Sequence, residues 1–503
     1  MAKQILYQLL PRLWGNGRFS AVDPAFLGYL RDTLRVDTVW YTGVIRHATR
    51  KADSLCHPSK VVKGEAGSPY AITDYYDVNP YLADDPAHRM EEFEALIART
   101  HEAGLRCIID FVPNHVAREY EGTMTPAPER PLGADDDPTE HWKPENDFYY
   151  YPGEALHLPV EADGYAEFPA RASGNSFTPY PSENDWYETV RINYCDFPTP
   201  TWEKMREIVR FWARKGVDGF RCDMVEMVPP AFMQWLIATV KQEFPQLQFI
   251  AEVYETGKYA SYVGGVGFDL LYDKSGLYDR LRAITEGTES ARSISWNWQM
   301  LGPLQPHMLN FLENHDEQRI ASDFFAGSPA RGYAALAVSL LLNDAPFMLY
   351  FGQEIGERGM DNEPFSGVNG RTSIFDWWTV ASLERLGKWI HSAHRGGLTR
   401  PEREVLSHYR ALLELSRRPA FASGKTFDLC YCQDGAFNPD RDFAFLRSDG
   451  KEVWVVAAHF DEAPATLTLR IPEEAGRFLG VSLPGEVRLE AVPPFDAAIR
   501  QIL

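Results

Sequence analysis

The sequence predicts an α/β protein: a closed (β/α)8 TIM barrel with a subdomain inserted after its third strand and a C-terminal antiparallel β-sandwich domain. Three observations predict this architecture. Short apolar runs alternate with amphipathic helical patterns over roughly 400 residues, which indicates parallel strands joined by crossover helices. A long segment rich in Pro, Gly, Asp and Tyr interrupts that rhythm. The last part of the chain contains short β-like runs separated by turns. A doubly wound sheet is the alternative fold.

Seven apolar runs have the length and composition of buried strands. A helix predicted between two of them is TWEKMREIVRFWARKG, whose apolar residues fall at helical spacing and whose Gly216 predicts its end. The strand-like runs are QILYQLL near residue 4, VDTVWYTG near 36, LRCIIDFVPNH at 105–115, VDGFRCDMV at 217–225, LQFIAEVY at 247–254, HMLNFLENHD at 307–316 and APFMLYFGQE at 345–354.

These patterns divide the chain into three predicted domains. The barrel is assigned to 1–115 and 197–419, the inserted subdomain to 116–196, and the β domain to 420–503. Long segments between barrel elements are commonly functional, so the insertion is expected to wall an active site.

Composition limits the classes of partner. The 503 residues carry a formal charge of −21, which disfavours nucleic acid and anionic membranes as partners. The charge is interpreted as an aid to solubility, and a preference for a neutral or cationic ligand is the alternative. Six scattered cysteines lack metal-ligand spacing and fit free thiols in a reducing compartment. The N-terminal segment has no apolar signal-peptide core, and no apolar run reaches membrane-spanning length, which predicts a cytoplasmic protein. No pattern indicates an oligomeric state.

The run at 217–225 carries charge inside an apolar strand. Alternate side chains of a strand face opposite sides, so Arg221 and Asp223 should project together into the barrel, about 6.6 Å apart along the strand. Phe220 and Cys222 then face the helices. Cys222 is therefore interpreted as a core residue rather than a nucleophile.

Three further runs end in polar side chains. Barrel enzymes place their chemistry at the C-terminal ends of the strands, so carboxylates and histidines from separate strands should meet in one pocket. The candidates are Asp110, Asn114 and His115 from one run, Glu252 from another, and Asn314, His315, Asp316 and Arg319 from the third.

Two carboxylates with separated pKa values suit the cleavage of a glycosidic bond. One attacks the anomeric carbon or activates water, and the other donates a proton to the leaving oxygen. A metal site is the competing use of such a cluster. Because the sequence has no HExxH motif, paired cysteines or EF-hand loop, no metal or other cofactor is predicted.

Four of these segments, taken in order, resemble the short regions that define the α-amylase family, glycoside hydrolase family 13. The resemblance also covers PYAITDYYDVNP, the insertion, FMLYFGQEIG and the terminal β domain, and so spans essentially the whole chain. The four segments are DFVPNH at 110–115, GFRCD at 219–223, EV at 252–253 and ENHD at 313–316.

The resemblance implies a role for each matching position. Asp223 would be the nucleophile, Glu252 the general acid/base, and Asp316 the carboxylate that stabilises the transition state through sugar hydroxyls. Arg221 would keep Asp223 ionised and oriented, and Asp110 would brace the site. For the substrate, the resemblance implies hydroxyl ligands at His115 and His315 and a stacking ring at Tyr70.

The sequence departs from the family pattern after the nucleophile. Many starch-degrading members carry Lys-His there, where the histidine backbone contributes to a calcium site, whereas this chain has Glu226 and Met227. Asn114 matches a residue that often binds that calcium, but a single ligand does not define a site. Calcium is therefore not predicted.

The leading hypothesis is a retaining α-glucan hydrolase that cleaves α-1,4 bonds of maltooligosaccharides or starch-like polysaccharides. A transglycosylase or sugar isomerase of the same family is the first alternative, because acceptor choice depends on loop shape that the sequence does not reveal. A non-catalytic binding relative is the second. Non-catalytic relatives usually lack one of the three catalytic carboxylates, whereas this sequence has all three, Asp223, Glu252 and Asp316.

Overall fold

Eight parallel strands close a barrel in the computed structural model, which describes residues 3–51, 58–162 and 164–503. Each strand pairs with its neighbours in chain order, and the first pairs with the last. The strands are β1 Ile5–Leu9, β2 Thr38–Tyr41, β3 Arg106–Phe111, β4 Gly219–Cys222, β5 Gln248–Ala251, β6 Leu270–Tyr272, β7 Met308–Phe311 and β8 Phe347–Tyr350. The predicted TIM barrel is confirmed.

The sixth strand is the one that the sequence patterns missed. β6 has only three residues, flanked by irregular helical turns at 256–266 and 274–278. A run this short gives no period-two signal, so only its pairing with β5 and β7 identifies it.

Helices surround the barrel with their apolar faces turned inward. The predicted helix before β4 begins at Pro200, ends at Arg214, and is followed by Gly216 with a φ of +99°. The barrel helices are α1 Pro24–Thr33, α2 Arg89–Glu102, α3 Pro200–Arg214, α4 Pro230–Glu243, α5 Asp279–Thr285, α6 Arg292–Leu301, α7 Tyr333–Leu341, α8 Ala381–His391 and α9 Arg400–Ser416.

The barrel interior has an apolar floor below a polar layer. Inward side chains from seven of the eight strands, all except β4, form one buried cluster that includes Leu6, Trp40, Ile250 and Met348. Arg221 lies above it, 5.4 Å from the Trp40 ring, whereas Phe220 packs on the outside against Phe249. The predicted alternation of β4 is therefore confirmed, and water is excluded from beneath the charged layer.

The segment between β3 and α3 contains little regular structure beyond two short antiparallel pairs. His115–Ala117 pairs with Thr189–Arg191, and Tyr150–Tyr151 pairs with Ala170–Arg171. A buried ion pair, Arg118 with Glu167 at 2.9 Å, lies in the core of the insertion. The first pair begins directly at the end of β3, so it fixes the insertion over the C-terminal face of the barrel.

The C-terminal region consists of two antiparallel sheets that face each other. Four strands form one sheet and two form the other, and an apolar cluster that includes Leu446, Val455 and Leu469 lies between them. The strands are β9 Lys425–Asp428, β10 Asp442–Ser448, β11 Val453–His459, β12 Ala465–Arg470, β13 Glu486–Val492 and β14 Ala497–Gln501, accompanied by the helices α10 Pro419–Ala422 and α11 Glu473–Leu479.

Two further predictions can be compared with the described residues. Five cysteines are free thiols, and the sixth, Cys56, lies outside the described residues. Within the described ranges, none of the helices combines the length and the apolar character needed to cross a bilayer.

Candidate active site

A cavity of about 300 Å³ opens at the C-terminal ends of the barrel strands. Six of the seven predicted site residues line it, and the seventh, Arg221, lies buried directly beneath. The lining residues among them are Tyr70, His115, Asp223, Glu252, His315 and Asp316.

Arg221 joins the two central carboxylates. Its Nη1 donates to Asp223 Oδ1 at 2.6 Å, and its Nη2 lies 2.8 Å from Glu252 Oε1. The guanidinium side chain is 0% exposed and is also surrounded by the rings of Trp40, Tyr70 and Tyr272. A single fixed cation therefore sets the spacing of both acids.

Burial has the largest effect on the pKa values of Asp223 and Glu252. Desolvation raises the pKa of Asp223 although Arg221 opposes it, and desolvation also raises the pKa of Glu252, to which the negative charge of Asp223 adds. Arg221 lowers the pKa of Asp223, as the resemblance implies, but desolvation has the larger effect. The arginine offsets part of a larger desolvation cost.

Asp316 lies at the mouth of the cavity and keeps 44% of its side chain exposed. Desolvation within the cleft and the negative charge of Glu252 raise its pKa to about 7. Its backbone is held by the Asn314 side chain, which accepts from the Asp316 N–H at 2.8 Å, and by Arg371, which donates to the Asp316 carbonyl at 2.6 Å. The residue is thus fixed on a turn, and its half-exposed carboxylate, with Oδ2 3.2 Å from His315 Nε2, faces the cavity.

His315 and Tyr70 form one wall. The Tyr70 hydroxyl lies 2.6 Å from His315 Nε2, the two rings stack with centroids 5.4 Å apart, and Gln8 Nε2 lies 2.8 Å from His315 Nδ1. Burial and the nearby Arg221 hold the pKa of His315 well below its usual value, so the ring is a neutral hydrogen-bonding group.

His115 forms the opposite wall. It is buried against Trp186, with ring centroids 5.1 Å apart, and burial lowers its pKa to about 3. Both histidines therefore act as neutral donors and acceptors rather than as cations.

Asp110 lies beside the site rather than in it. It is the Cα partner of Arg221 in the β3–β4 ladder, and its Oδ2 accepts from the Gly43 N–H at 3.2 Å. Desolvation raises its pKa to about 7. The bracing position that the sequence suggested agrees with this geometry.

Sequence reasoning missed several residues of the cavity. Lys63 and Glu188 form an ion pair at 3.1 Å between the loop after β2 and the insertion, and Trp186 and Phe375 complete the wall. They lie on loops, whose packing leaves no periodic signal. Tyr254 was detectable, because it follows Glu252 by two residues and should point the same way.

The surroundings of Asn114 contain both an unpartnered oxygen and a nearby cation: its Oδ1 is buried without a hydrogen-bond partner among the described residues, and Arg191 lies close by. Arg191 Nη1 donates to the Gly174 carbonyl at 3.1 Å, and its Nη2 donates to the Met227 carbonyl at 2.7 Å. The Asn114 amide also donates to the Gly174 carbonyl at 2.9 Å. Arg191 thus donates to the carbonyl oxygens of both Gly174 and Met227. Across the described ranges, no cluster of three His, Cys, Asp or Glu side chains is arranged to hold a metal ion.

Three carboxylates and a shared arginine above an apolar barrel floor define a (β/α)8 glycosidase-type enzyme. Comparisons with known proteins agree. Residues 26–258 match the model of the alpha amylase catalytic domain. This match covers a little under half of the chain, which is therefore similar to the catalytic domain of the α-amylase family.

Individual relatives are distant. The chain is 26% identical to alpha-amylase 3 of Dictyoglomus thermophilum over 378 residues, which cover 71% of this chain and 68% of the relative. It is 24% identical to an alpha-1,4-glucan:maltose-1-phosphate maltosyltransferase of Cereibacter sphaeroides, over 57% of this chain and 43% of the relative. A maltogenic alpha-amylase of Thermotoga neapolitana has the same fold, with a TM-score of 0.65 at 20% identity, over 99% of this chain and 96% of that one.

Proposed function

We propose that the protein is a retaining α-glucan hydrolase that cleaves α-1,4 bonds of maltooligosaccharides or starch-like polysaccharides by double displacement. The main support for this proposal is that the buried guanidinium of Arg221 contacts both Asp223 and Glu252. Retaining enzymes need two carboxyl groups at about 5 to 5.5 Å, and a shared arginine is a means of fixing such a separation.

In the first step, Asp223 attacks the anomeric carbon while Glu252 donates its proton to the glycosidic oxygen. The carbon–oxygen bond breaks, the leaving chain departs with a new hydroxyl, and a glycosyl ester of Asp223 forms. In the second step, the Glu252 carboxylate removes a proton from water, the water oxygen attacks the same carbon, and the ester breaks. The raised pKa of Glu252 supports its role as the acid.

The other cavity residues would bind the sugar. Asp316 would accept hydrogen bonds from ring hydroxyls as positive charge develops at the anomeric carbon. His115 and His315, both neutral, would bind hydroxyls, and the Tyr70 ring would cover an apolar face of the pyranose. The substrate is uncharged, which is compatible with the acidic protein.

We further propose that the protein needs no resident calcium, since Arg191 supplies the cation between the insertion and the loop after β4. The assignment of 116–196 as a subdomain that walls the site is supported by Trp186 and Glu188 in the cavity lining.

The mechanism is tested by trapping the intermediate. A fluorinated α-glucosyl fluoride should add one sugar mass to the wild-type chain, and this adduct should be absent from Asp223→Asn. Asp223→Asn and Glu252→Gln should each lower turnover of maltotriose by at least about 10³-fold while leaving the fold intact. Wild-type turnover in either variant would refute the assignment.

Transglycosylation is the second candidate, because a maltosyltransferase is among the relatives. Products from maltotriose separate the two reactions. Glucose and maltose alone indicate hydrolysis, whereas chains longer than maltotriose indicate transfer.

A further inference from the structure

Glu226, which stands where the family pattern has lysine, contacts the loop that follows the acid/base residue. Its Oε2 accepts from the Tyr254 backbone N–H at 2.7 Å, and its Oε1 accepts from the Glu255 N–H at 3.4 Å. The side chain is 13% exposed, and Lys258 pairs with it at 3.3 Å from the solvent side. A carboxylate on the loop after β4 thus fixes the backbone of the loop after β5.

The fixed loop carries a donor for Glu252. The Tyr254 hydroxyl donates to Glu252 Oε1 at 2.6 Å, while the Met224 N–H donates to Glu252 Oε2 at 2.8 Å. Met224 reaches that position with a φ of +45°, an uncommon conformation for a residue other than glycine. Besides Arg221, Glu252 thus has two donors whose positions depend on the backbone of two adjacent loops.

We propose that Glu226 and Tyr254 are positioning residues for the acid/base: Glu226 holds the loop so that the Tyr254 hydroxyl stays on Glu252 and favours its carboxylate form. This inference rests on the proposed function, and it adds a determinant of the pH range. A hydrogen bond to the ionised form lowers the pKa of an acid, so Tyr254 offsets part of the rise that burial causes.

The charge of Glu226 alone predicts the opposite effect. A nearby negative charge raises the pKa of Glu252, so removing only the charge would lower that pKa. Loss of the positioning contact would raise it instead. The sign of the shift therefore separates the two accounts. The other charged or titratable groups that act on Glu252 are Arg221 on β4, Asp223 after β4, Tyr272 on β6, Asp316 after β7 and His115 after β3.

The experiment measures kcat/KM on maltotriose as a function of pH. The alkaline limb of this profile, where kcat/KM falls, reports the pKa of the acid/base Glu252. Tyr254→Phe should move that limb to higher pH by about one unit, the equivalent of one charge-assisted hydrogen bond. Glu226→Ala should also move the alkaline limb to higher pH. The double variant should match Tyr254→Phe alone, because both substitutions act on the same hydrogen bond, that from Tyr254 to Glu252. Glu226→Gln, whose amide oxygen can accept from the Tyr254 N–H, keeps the positioning contact and should not move the limb to higher pH.

Glu255→Ala is the matched control, since this neighbouring acidic side chain is 67% exposed and should leave the limb unchanged. An unmoved or acid-shifted limb in Glu226→Ala, or additive shifts in the double variant, would overturn the proposal. Titration of the Glu252 carboxyl by ¹³C NMR, assigned with Glu252→Gln, gives the same test without turnover. A wild-type protein that fails to cleave glucans would refute the proposed function, while an NMR shift in Tyr254→Phe and Glu226→Ala would still support the positioning contact.

Discussion

Arg221 controls the charge balance of the cavity because the three nearby carboxyl groups are all pushed towards protonation. Desolvation is the largest cause for Asp110, Asp223 and Glu252 alike, and Arg221 is the main opposing charge for each. Such an arrangement lets one acid attack while its neighbour keeps a proton. At the scale of single residues, function therefore depends on how far Arg221 counteracts the rise in the pKa of Asp223 and Glu252 that burial causes.

Asp110→Asn should make stability less dependent on pH. The folded Asp110 keeps its proton up to about pH 7, whereas the unfolded residue loses it near its ordinary pKa. Between these values the folded state binds more protons, so this residue lowers the free energy of unfolding as pH rises. In the variant, the slope of that free energy against pH between 5 and 7 should be more positive by up to about 1.4 kcal/mol per unit. Urea titrations of both proteins at pH 5, 6 and 7 measure this difference, and parallel curves would contradict it.

At the scale of elements, the insertion is held to the barrel by side-chain donors on backbone carbonyls. Arg191 ends the strand Thr189–Arg191 and reaches the carbonyl of Met227 after β4. Burial lowers the pKa of Arg191 from its ordinary value, which indicates that its charge is partly desolvated.

A calcium chelator should leave the unfolding temperature of the wild-type protein unchanged, and added calcium should not raise it. A ligand raises this temperature only when it binds the folded protein. Arg191→Ala should lower that temperature by several degrees, since two buried carbonyls lose a charged donor. Arg191→Lys, which keeps the charge, should lose less. The measurement is differential scanning fluorimetry with EDTA or calcium, and a chelator-sensitive wild type would refute the proposed absence of calcium.

Gly219 is required where β4 passes close to β5. An added Cβ would lie 2.4 Å from the Gln248 carbonyl oxygen, so Gly219→Ala should destabilise the barrel by about 1–3 kcal/mol. Gly28 in α1 is the matched control. A Cβ there meets no atom within 4 Å, and Gly28→Ala should stabilise by about 0.5–1 kcal/mol. Urea unfolding of both variants checks the opposite signs.

The elements and residues that could be predicted from the sequence are those that a short run of neighbouring residues determines. Arg221 and Asp223 were placed correctly because alternation in β4 fixes their direction. β6 was missed because three residues carry no period, and the Lys63–Glu188 pair was missed because it joins loops that are distant in the chain. Net pKa shifts also escaped prediction, since burial depends on every neighbour at once.

At the scale of the whole molecule, the C-terminal β domain and the barrel share one apolar core. Phe443, Phe445 and Val456 belong to the same buried cluster as the outer faces of the barrel strands. Arg447 of β10 adds a polar contact with the barrel, donating to the carbonyl of Leu342, just after α7, at 3.3 Å. Neither unit can separate without exposing apolar surface to water.

The barrel and the β domain should therefore unfold together. In hydrogen exchange measured along a urea titration, amides of β4 and of β11 should lose protection at the same urea concentration, although many proteins of this size unfold domain by domain. Arg447→Met should shift both transitions downward by an equal amount, corresponding to about 3 kcal/mol, because it leaves buried carbonyls unpaired. Two separate midpoints in the wild type, or a shift confined to β11 in the variant, would contradict the shared core. Coincident midpoints would mean that the β domain contributes to the stability of the catalytic cavity.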